Sequence, residues 1–347
     1  MLLSIIIASY NTRELLEKCL DSVIKSLASF NFKSNQEKIL NQVQDDGALR
    51  HYSDASYRHS DSSYRHPDDP PAGGQDPPLA EIIVVDNHSQ DNTVMWLKKY
   101  IKTSAKIRSK IGVDLSLIVN NDNLGFAKAN NQGIKIARGK YIMLLNSDTI
   151  VKDRALEKMV SFLENNPEVG GLSPLLLNAD GSKQIDYYMR FPNLWQIFFY
   201  HNRLLRPLAM KSPLAGLICF PAKKVPYSVD QLPGAAMMVR AKVWQKVGPL
   251  DEDYPFYFED VDWSWRAKKM GQKLMVLPQA KIIHLGGGSW KKGEARPEKY
   301  YRQFFSSMAI FLKKNYPPLR REIMLGAIKA NLWLKSFIKK FVITPSR

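Results

Sequence analysis

Three acidic stations in this chain of 347 residues carry side chains suited to chemistry. Asp86 ends the apolar run Ile82-Ile83-Val84-Val85, and Asp148 closes Leu144-Leu145-Asn146-Ser147-Asp148. A carboxylate where a buried strand runs out can ligate a divalent ion that bridges two phosphates, because hard cations prefer oxygen donors. Asp148 with Thr149 can equally cap a following helix. The third station, Phe258-Glu259-Asp260-Val261-Asp262-Trp263, sets three acids in four positions beside aromatic residues. Apolar walls raise carboxylate pKa values, as a base that removes a hydroxyl proton requires. The structural alternative is a helix start, with acids complementing the macrodipole and Asp262 paired to Arg266 one turn on. His284 ends an apolar segment and precedes Gly286-Gly287-Gly288-Ser289-Trp290 and two lysines, Lys291 and Lys292. Such a run can close over a diphosphate with His284 as a metal ligand, or simply form a turn.

The elements that must position these residues read as alternating strands and helices. Residues 2–8 suit a strand buried on both faces of a parallel sheet. Asn11 or Thr12 can cap a helix in which Leu16, Cys19 or Leu20, Val23 and Leu27 recur at helical spacing. Strands are expected at 82–86, 115–119, 141–145 and 235–239, with strand-like pieces at 274–277 and 282–284. Helices are expected around Val94–Tyr100, and at 127–138, 151–164, 242–247 and 258–270. Alternation implies a parallel sheet with right-handed crossovers, in which ligands gather beyond the carboxyl ends of the strands. Asn11, Asp86 and Asp148 all fall at such ends. The segment 31–80 breaks the pattern: it is polar, carries the near-repeat Ser56-Tyr57-Arg58-His59-Ser60-Asp61 and Ser63-Tyr64-Arg65-His66-Pro67-Asp68, and reads as a low-complexity surface-loop insertion.

Composition narrows the class. The hydrophobic fraction of 45% and charged fraction of 24% suit a globular protein. The two cysteines, Cys19 and Cys219, lie far apart without metal spacing, which fits a reducing, cytoplasmic setting better than a disulfide framework. A formal net charge of +17 favours polyanions such as phosphates or an acidic membrane face. The apolar start is short and has no basic flank, so it reads as a strand rather than a leader. No segment reaches the ~18 apolar residues of a membrane span.

Taken in order, these segments resemble the family-2 glycosyltransferases of the GT-A fold, in particular their bacterial rhamnosyltransferase-like branch. The resemblance rests on Ile5-Ile6-Ile7-Ala8-Ser9-Tyr10-Asn11, Val84-Val85-Asp86-Asn87-His88-Ser89, Asn123-Leu124-Gly125-Phe126-Ala127-Lys128-Ala129-Asn130-Asn131, Leu144-Leu145-Asn146-Ser147-Asp148, Pro233-Gly234-Ala235-Ala236 and Phe258-Glu259-Asp260-Val261-Asp262. It covers most of residues 1–30 and 81–290. It implies an α/β fold with a Rossmann-like, mostly parallel central sheet flanked by helices, a GT-A domain over 1–300, and a basic amphipathic helical extension over 301–347. It further implies that Ser9, Asn11, Asp86, Asn123, Gly125, Phe126, Asn130 and Asn146 line the donor pocket. Asp148 and His284 would hold a divalent ion, Mg²⁺ or Mn²⁺, with Asn146 standing where the family carries a second acid. Asp260 would be the catalytic base, and Gly234, Ala235, Glu259 and Asp262 would shape the acceptor site. The implied reaction is inverting transfer of a sugar, rhamnose by branch, from a nucleotide-sugar donor to a glycan or polyprenyl-linked acceptor.

Two stretches stay open. The tail places Leu319, Ile323, Ile328, Leu332, Leu334, Phe337, Ile338 and Phe341 among Arg320, Arg321, Lys329, Lys335, Lys339 and Lys340. It suits either a helix lying on an anionic membrane, peripheral at the inner face of the plasma membrane, or a helix packed on the domain with a solvated basic face. The aromatic stretch 191–220 suits an acceptor or lipid grip, or plain core. A sugar-nucleotide-forming nucleotidyltransferase would carry a glycine-rich basic loop where this chain has Ser9-Tyr10-Asn11-Thr12. Asn146 leaves room for a degenerate donor-binding scaffold, which metal-dependent donor hydrolysis would distinguish from a catalyst. A nucleic-acid binder has charge in its favour but no motif, and none is expected as a partner.

Overall fold

The computed structural model describes residues 1–30, 78–184, 188, 190–200, 205–286 and 298–342. The expected insertion over 31–80 lies outside the described residues except at 78–80, and the run from Gly287 to Lys292 lies outside them altogether. In chain order the elements are β1 (Leu3–Ser9), α1 (Arg13–Ala28), β2 (Ala80–Asp86), α2 (Thr93–Thr103), α3 (Ala105–Lys110), β3 (Val113–Val119), α4 (Phe126–Ile136), β4 (Tyr141–Leu145), β5 (Thr149–Val151) and α5 (Ala155–Asn165). They continue with β6 (Val169–Leu177), a π-helical turn (Gln196–Tyr200), α6 (Arg206–Met210), α7 (Ala215–Ile218), β7 (Tyr227–Ser228), β8 (Ala236–Arg240), α8 (Ala241–Val247), α9 (Glu259–Lys269), β9 (Lys273–His284), α10 (Glu298–Asn315) and α11 (Pro318–Val342).

The strands form one sheet in the order β3-β2-β1-β4-β8-β6-β9-β5, with β7 beside β9. From β3 to β4 the pairing is parallel throughout. Strands β1, β2 and β4 are apolar on both faces and buried along nearly their whole length because helices cover both sides, whereas the edge strand β3 exposes Asp114 and Ser116. Helix α1 buries Leu16, Cys19, Leu20, Val23 and Leu27, the stripe its periodicity predicts. Helix α4 lies so close to β1 that a Cβ on Gly133 would sit 2.5 Å from Ile6 Cγ2. Beyond β4 the sheet is mixed, since β8 runs antiparallel to both β4 and β6 while β6 and β9 are parallel.

Three strands were not expected: β6, β5 and the two-residue β7. Strand β6 lies where the pattern reads as irregular, because Gly170, Gly171 and Pro174 interrupt it. A Cβ on Gly171 would meet Val239 Cγ2 at 2.9 Å, so close packing against β8 demands the glycine. At Pro174 the ladder slips, and the buried Tyr188 mends it: its hydroxyl donates to the Pro174 carbonyl at 2.6 Å and accepts from Leu176 N at 2.6 Å. Strand β5 has only three residues, at the start of the segment read as helix 151–164; the helix itself begins at Ala155. The two expected pieces at 274–277 and 282–284 form one strand, β9, whose pairing to β6 jumps from Leu277 to Lys281. That bulge beside Pro278 turns the end of β9 onto β5.

A second apolar cluster gathers Ile197, Tyr254 and Phe258 with Phe305, Met308, Phe311 and Leu312 of α10 and Met324, Ala327 and Ile328 of α11. The C-terminal helices therefore pack directly on the segment that leads into α9. In the aromatic stretch, Ile197 is core, whereas Trp195 and Phe198 are 43% and 45% exposed.

Candidate active site

Parallel register sets the first part of the site. Ser9 and Asp86 are register partners at the carboxyl ends of β1 and β2, and Asn87 N donates to the Ser9 carbonyl at 2.7 Å. Asp86 is fully buried; Oδ2 accepts from Ser89 N at 2.9 Å, while Oδ1 has no hydrogen-bond partner in the protein. A buried carboxylate oxygen left open is costly unless a ligand donates to it. Asn11, held at φ +52°, ties the two loops together: its N donates to Ser89 Oγ and its Oδ1 accepts from Gln90 N.

Asn87, absent from the expected site, organises its next wall. Its Nδ2 donates to Asn123 Oδ1 at 2.8 Å and to the Gly125 carbonyl at 3.2 Å. Its Oδ1 accepts from Asn120 Nδ2 and Leu124 N. All of its hydrogen-bonding capacity is thus spent on the loop before α4. Gly125 caps α4 at φ +83°, a conformation that a side chain would strain. Asn130 is buried and donates to the Phe126 carbonyl within the same helix.

Phe126 then meets the acid-bearing helix. A Cβ on Gly234 would lie 3.1 Å from Phe126 Cζ and 3.4 Å from Asp260 Oδ2, so a side chain there would crowd the ring and touch the carboxylate. Gly234 N donates to Asp260 Oδ2 at 2.7 Å, and Val261 N donates to Asp260 Oδ1 at 2.8 Å. Burial pushes the Asp260 carboxyl above its ordinary value, and these two donors hold it back. Glu259 is pushed up too, first by burial and then by the negative charge of Asp260. Asn146 N donates to the Ala235 carbonyl at 2.9 Å, which joins this side to the end of β4.

The third part is the pair Asp148 and His284. Strand β5 pairs antiparallel with the end of β9, Thr149 opposite His284, and Leu285 N donates to the Asp148 carbonyl. That short ladder closes a gap of more than a hundred residues and sets His284 Nε2 3.3 Å from Asp148 Oδ1. Gln184 fixes the imidazole. Its Nε2 donates to the His284 carbonyl at 2.7 Å and to Asn178 Oδ1 at 2.8 Å, so its Oε1 faces His284 Nδ1 at 3.1 Å. Nδ1 then carries a proton toward Gln184, and Nε2 is turned toward a carboxylate. At that distance the two atoms share a proton or flank a cation, and an imidazole nitrogen with a carboxylate oxygen is a suitable donor pair for a divalent ion. Asn146 Nδ2 stands 3.4 Å from the same Nε2. Among the described residues no group of three or more acidic, histidine or cysteine side chains converges on one point. Thr12 bridges to the Ser9 and Asp86 side, joining Ser9 Oγ at 2.9 Å and Ser147 Oγ at 3.0 Å.

Asp262 is the exception among the expected residues. Its carboxylate is buried and committed to structure: Oδ2 accepts from Arg266 Nε at 2.7 Å, and Oδ1 from Tyr254 Oη at 3.1 Å and Asn315 Nδ2 at 3.0 Å. The helical ion pair is its role, and it points into the packing between α9 and α10 rather than joining Asp260 at Gly234. Lys291, the expected diphosphate partner, lies outside the described residues. Asn87 had a signal in its place beside Asp86; Gln184 and Asn178 had none.

With this geometry in hand, comparison with known proteins gives concordant matches. The family model for glycosyl transferase family 2 matches residues 73–213. A poly-β-1,6-N-acetyl-D-glucosamine synthase of Staphylococcus aureus (strain COL) is 28% identical over 236 residues, which cover 66% of this chain and 50% of that protein, so the chain matches half the length of that relative. The dTDP-rhamnosyl transferase RfbF of Shigella flexneri is 24% identical over 265 residues, 72% of this chain and 78% of that one. Among solved structures, the mannosyltransferase PcManGT of Pyrobaculum calidifontis, in complex with GDP-Man and Mn²⁺, superposes with a TM-score of 0.50 at 14% identity, covering 96% of this chain and 74% of that chain. Likeness at that identity speaks for the fold.

Proposed function

We propose that the chain, whose residues 73–213 match the glycosyl transferase family 2 model, is a glycosyltransferase of the GT-A fold that transfers a sugar from a nucleoside-diphosphate donor to a hydroxyl of a cell-surface glycan or its lipid-linked precursor, with inversion. The observation that carries the reading is the unbroken path of contacts from Asp86 through Asn87, Asn123, Gly125, Phe126 and Gly234 to Asp260. The open Oδ1 of Asp86 accepts from the nucleotide base. Gly234 N and Val261 N hold the Asp260 carboxylate so that it takes the proton of the acceptor hydroxyl as that oxygen attacks the anomeric carbon. The bond to the nucleoside diphosphate breaks on the opposite face. A divalent ion held by Asp148 and His284 would neutralise charge growing on the departing diphosphate. Rhamnose is the donor sugar favoured by the similarity to RfbF, a dTDP-rhamnosyl transferase.

The test is a panel of nucleotide-sugars, scored for binding and for slow hydrolysis with added Mn²⁺ or Mg²⁺. One donor should bind and hydrolyse above the rest, and Asp86→Ala should weaken its binding about tenfold or more. A folded protein that binds none of the panel refutes the reading.

The same reading places the enzyme against an anionic bilayer. Helix α11 buries Met324, Ala327, Ile328 and Asn331 inward, so packing on the domain accounts for that face. Its other face exposes Leu319 at 77%, Ile323 at 52% and Trp333 at 66%, a stripe at helical spacing with Arg320 and Lys329 to either side. No described helix is long and apolar enough to cross a membrane. An apolar stripe between cations suits the headgroup boundary. Leu319→Ser with Ile323→Ser should cut retention on vesicles rich in phosphatidylglycerol several-fold, and unchanged retention would refute membrane seating.

A further inference from the structure

Helix α10 grips the segment that carries the acid station at both of its ends. The buried Ser307 donates its hydroxyl to the Phe256 carbonyl at 2.8 Å. Two turns on, Asn315 Nδ2 donates to Asp262 Oδ1 at 3.0 Å, and Lys314 pairs with both Asp251 and Asp253. Between these anchors Phe258 lies edge-on to Phe304, with centroids 5.3 Å apart, and tilted against Phe311 at 5.8 Å.

What is gripped is a strained piece of backbone. Tyr257 and Phe258 stand consecutively at φ +61° and +77°. Bulky side chains crowd the backbone in that region, and two in succession persist only where surrounding contacts over-determine them. Phe258 is the residue that caps α9, and Asp260 lies in the first turn after it. The rotation of Phe258 therefore sets where the Asp260 carboxylate meets Gly234 N. The aromatic packing against α10 and the Ser307 bond oppose relaxation of this pair, while the Asn315 bond fixes the helix turn just beyond Asp260.

We infer that α10 is the positioning element of Asp260, with Ser307 and Asn315 as positioning residues, so that the C-terminal helices belong to the catalytic apparatus. The inference rests on the proposed sugar transfer for its kinetic consequence. Neither side chain meets the donor half of the site, so their loss should act on the attack step and leave nucleotide binding alone.

The experiment compares the full chain with Ser307→Ala, Asn315→Ala and the double variant, each also in an Asp260→Asn background. Removing the hydroxyl or the amide should lower kcat for transfer about tenfold to a hundredfold, the scale of a small misplacement of a reacting group. The donor KM and nucleoside-diphosphate affinity should stay within about twofold, since uniform binding is untouched. In the Asp260→Asn background the same substitutions should cost nothing further, because residues that act through one group are not additive. Amide exchange across residues 256–262 should quicken in the variants whether or not a donor has been identified. Unchanged kcat with unchanged exchange overturns the inference, as does an equal loss in the Asp260→Asn background or a parallel loss of nucleotide binding. Should Ser307→Ala unfold, Asn315→Ala carries the same comparison from a partly exposed position. A wild-type chain that binds donors but transfers nothing removes the sugar-transfer reading and this inference with it, whereas an active wild type with indifferent variants removes the inference alone.

Discussion

Replacing Asp260 with asparagine is expected to lower sugar transfer by about 10²–10⁴-fold, the usual contribution of a positioned general base, while donor binding is retained. The substitution keeps the shape that fits between Gly234 and Val261 but removes the proton acceptor, and its amide –NH2 faces one of the two backbone N–H donors, so one accepted hydrogen bond is lost as well. In free-energy terms the middle of that range is about 4 kcal/mol of lost barrier lowering. Nucleotide-sugar affinity by calorimetry should be unchanged, because the Asp86 end of the site is untouched. Transfer persisting near the wild-type rate would mean that another group takes the proton.

The pH profile of the same reaction should report the environment of the acid pair. Burial raises Asp260, and burial together with the Asp260 charge raises Glu259. The base works only when ionised, so kcat/KM should fall as pH drops through the raised value. The acid limb should lie above the ~4 of an exposed carboxyl. Because the two groups interact, the wild-type limb should be broad and belong to the pair. In Glu259→Gln it should sharpen to a single step. An acid limb at the position of an ordinary solvated carboxylate would place the base elsewhere.

How much of this was legible in the sequence follows from how local each cause is. Strands β1, β2 and β4 announce themselves because a parallel strand covered on both faces must be apolar throughout, and the carboxyl-end residues Ser9, Asp86 and Asp148 follow from that placement. Strand β6 does not, because Gly171 is demanded by Val239 across the sheet and the break at Pro174 is repaired by Tyr188, both invisible to a local pattern. The two halves of β9 read as separate for the same reason: the bulge beside Pro278 is what carries His284 to Asp148. Asp260 and Asp262 are alike in sequence, each at a helix start among aromatics. Only Gly234 on one side, and Tyr254, Arg266 and Asn315 on the other, divide them into a carboxylate held beside Gly234 and one tied into the helix packing. Asn146 illustrates the converse. Its departure from the acid of the family the sequence resembles is plain in the sequence, but its closeness to His284 Nε2 is a property of the fold.

The proposed metal site at Asp148 and His284 carries the other large expectation. Asp148→Asn should weaken Mn²⁺ binding by the full charge of one ligand and lower transfer about 10²–10³-fold, the scale of losing one electrostatic stabiliser of a developing anion. The asparagine would still fit beside Ser147 and Leu285, so the fold and the Asp86 end should survive. Gln184→Leu is the finer probe. It leaves both proposed ligands in place but frees the imidazole to protonate at Nε2 instead of Nδ1, which turns a donor proton toward Asp148. Loss of such a supporting contact typically lowers metal affinity about 10–100-fold. Titration of the protein with Mn²⁺, followed by the relaxation of water protons, should rank wild type above Gln184→Leu and Gln184→Leu above Asp148→Asn. The ring itself offers a second reading that needs no turnover: nitrogen shifts of His284 should show an Nδ1–H tautomer in the wild type and a mixture in Gln184→Leu. If Asp148→Asn binds Mn²⁺ as tightly as wild type, the ion sits elsewhere, and the close approach of His284 to Asp148 is a proton-sharing contact instead.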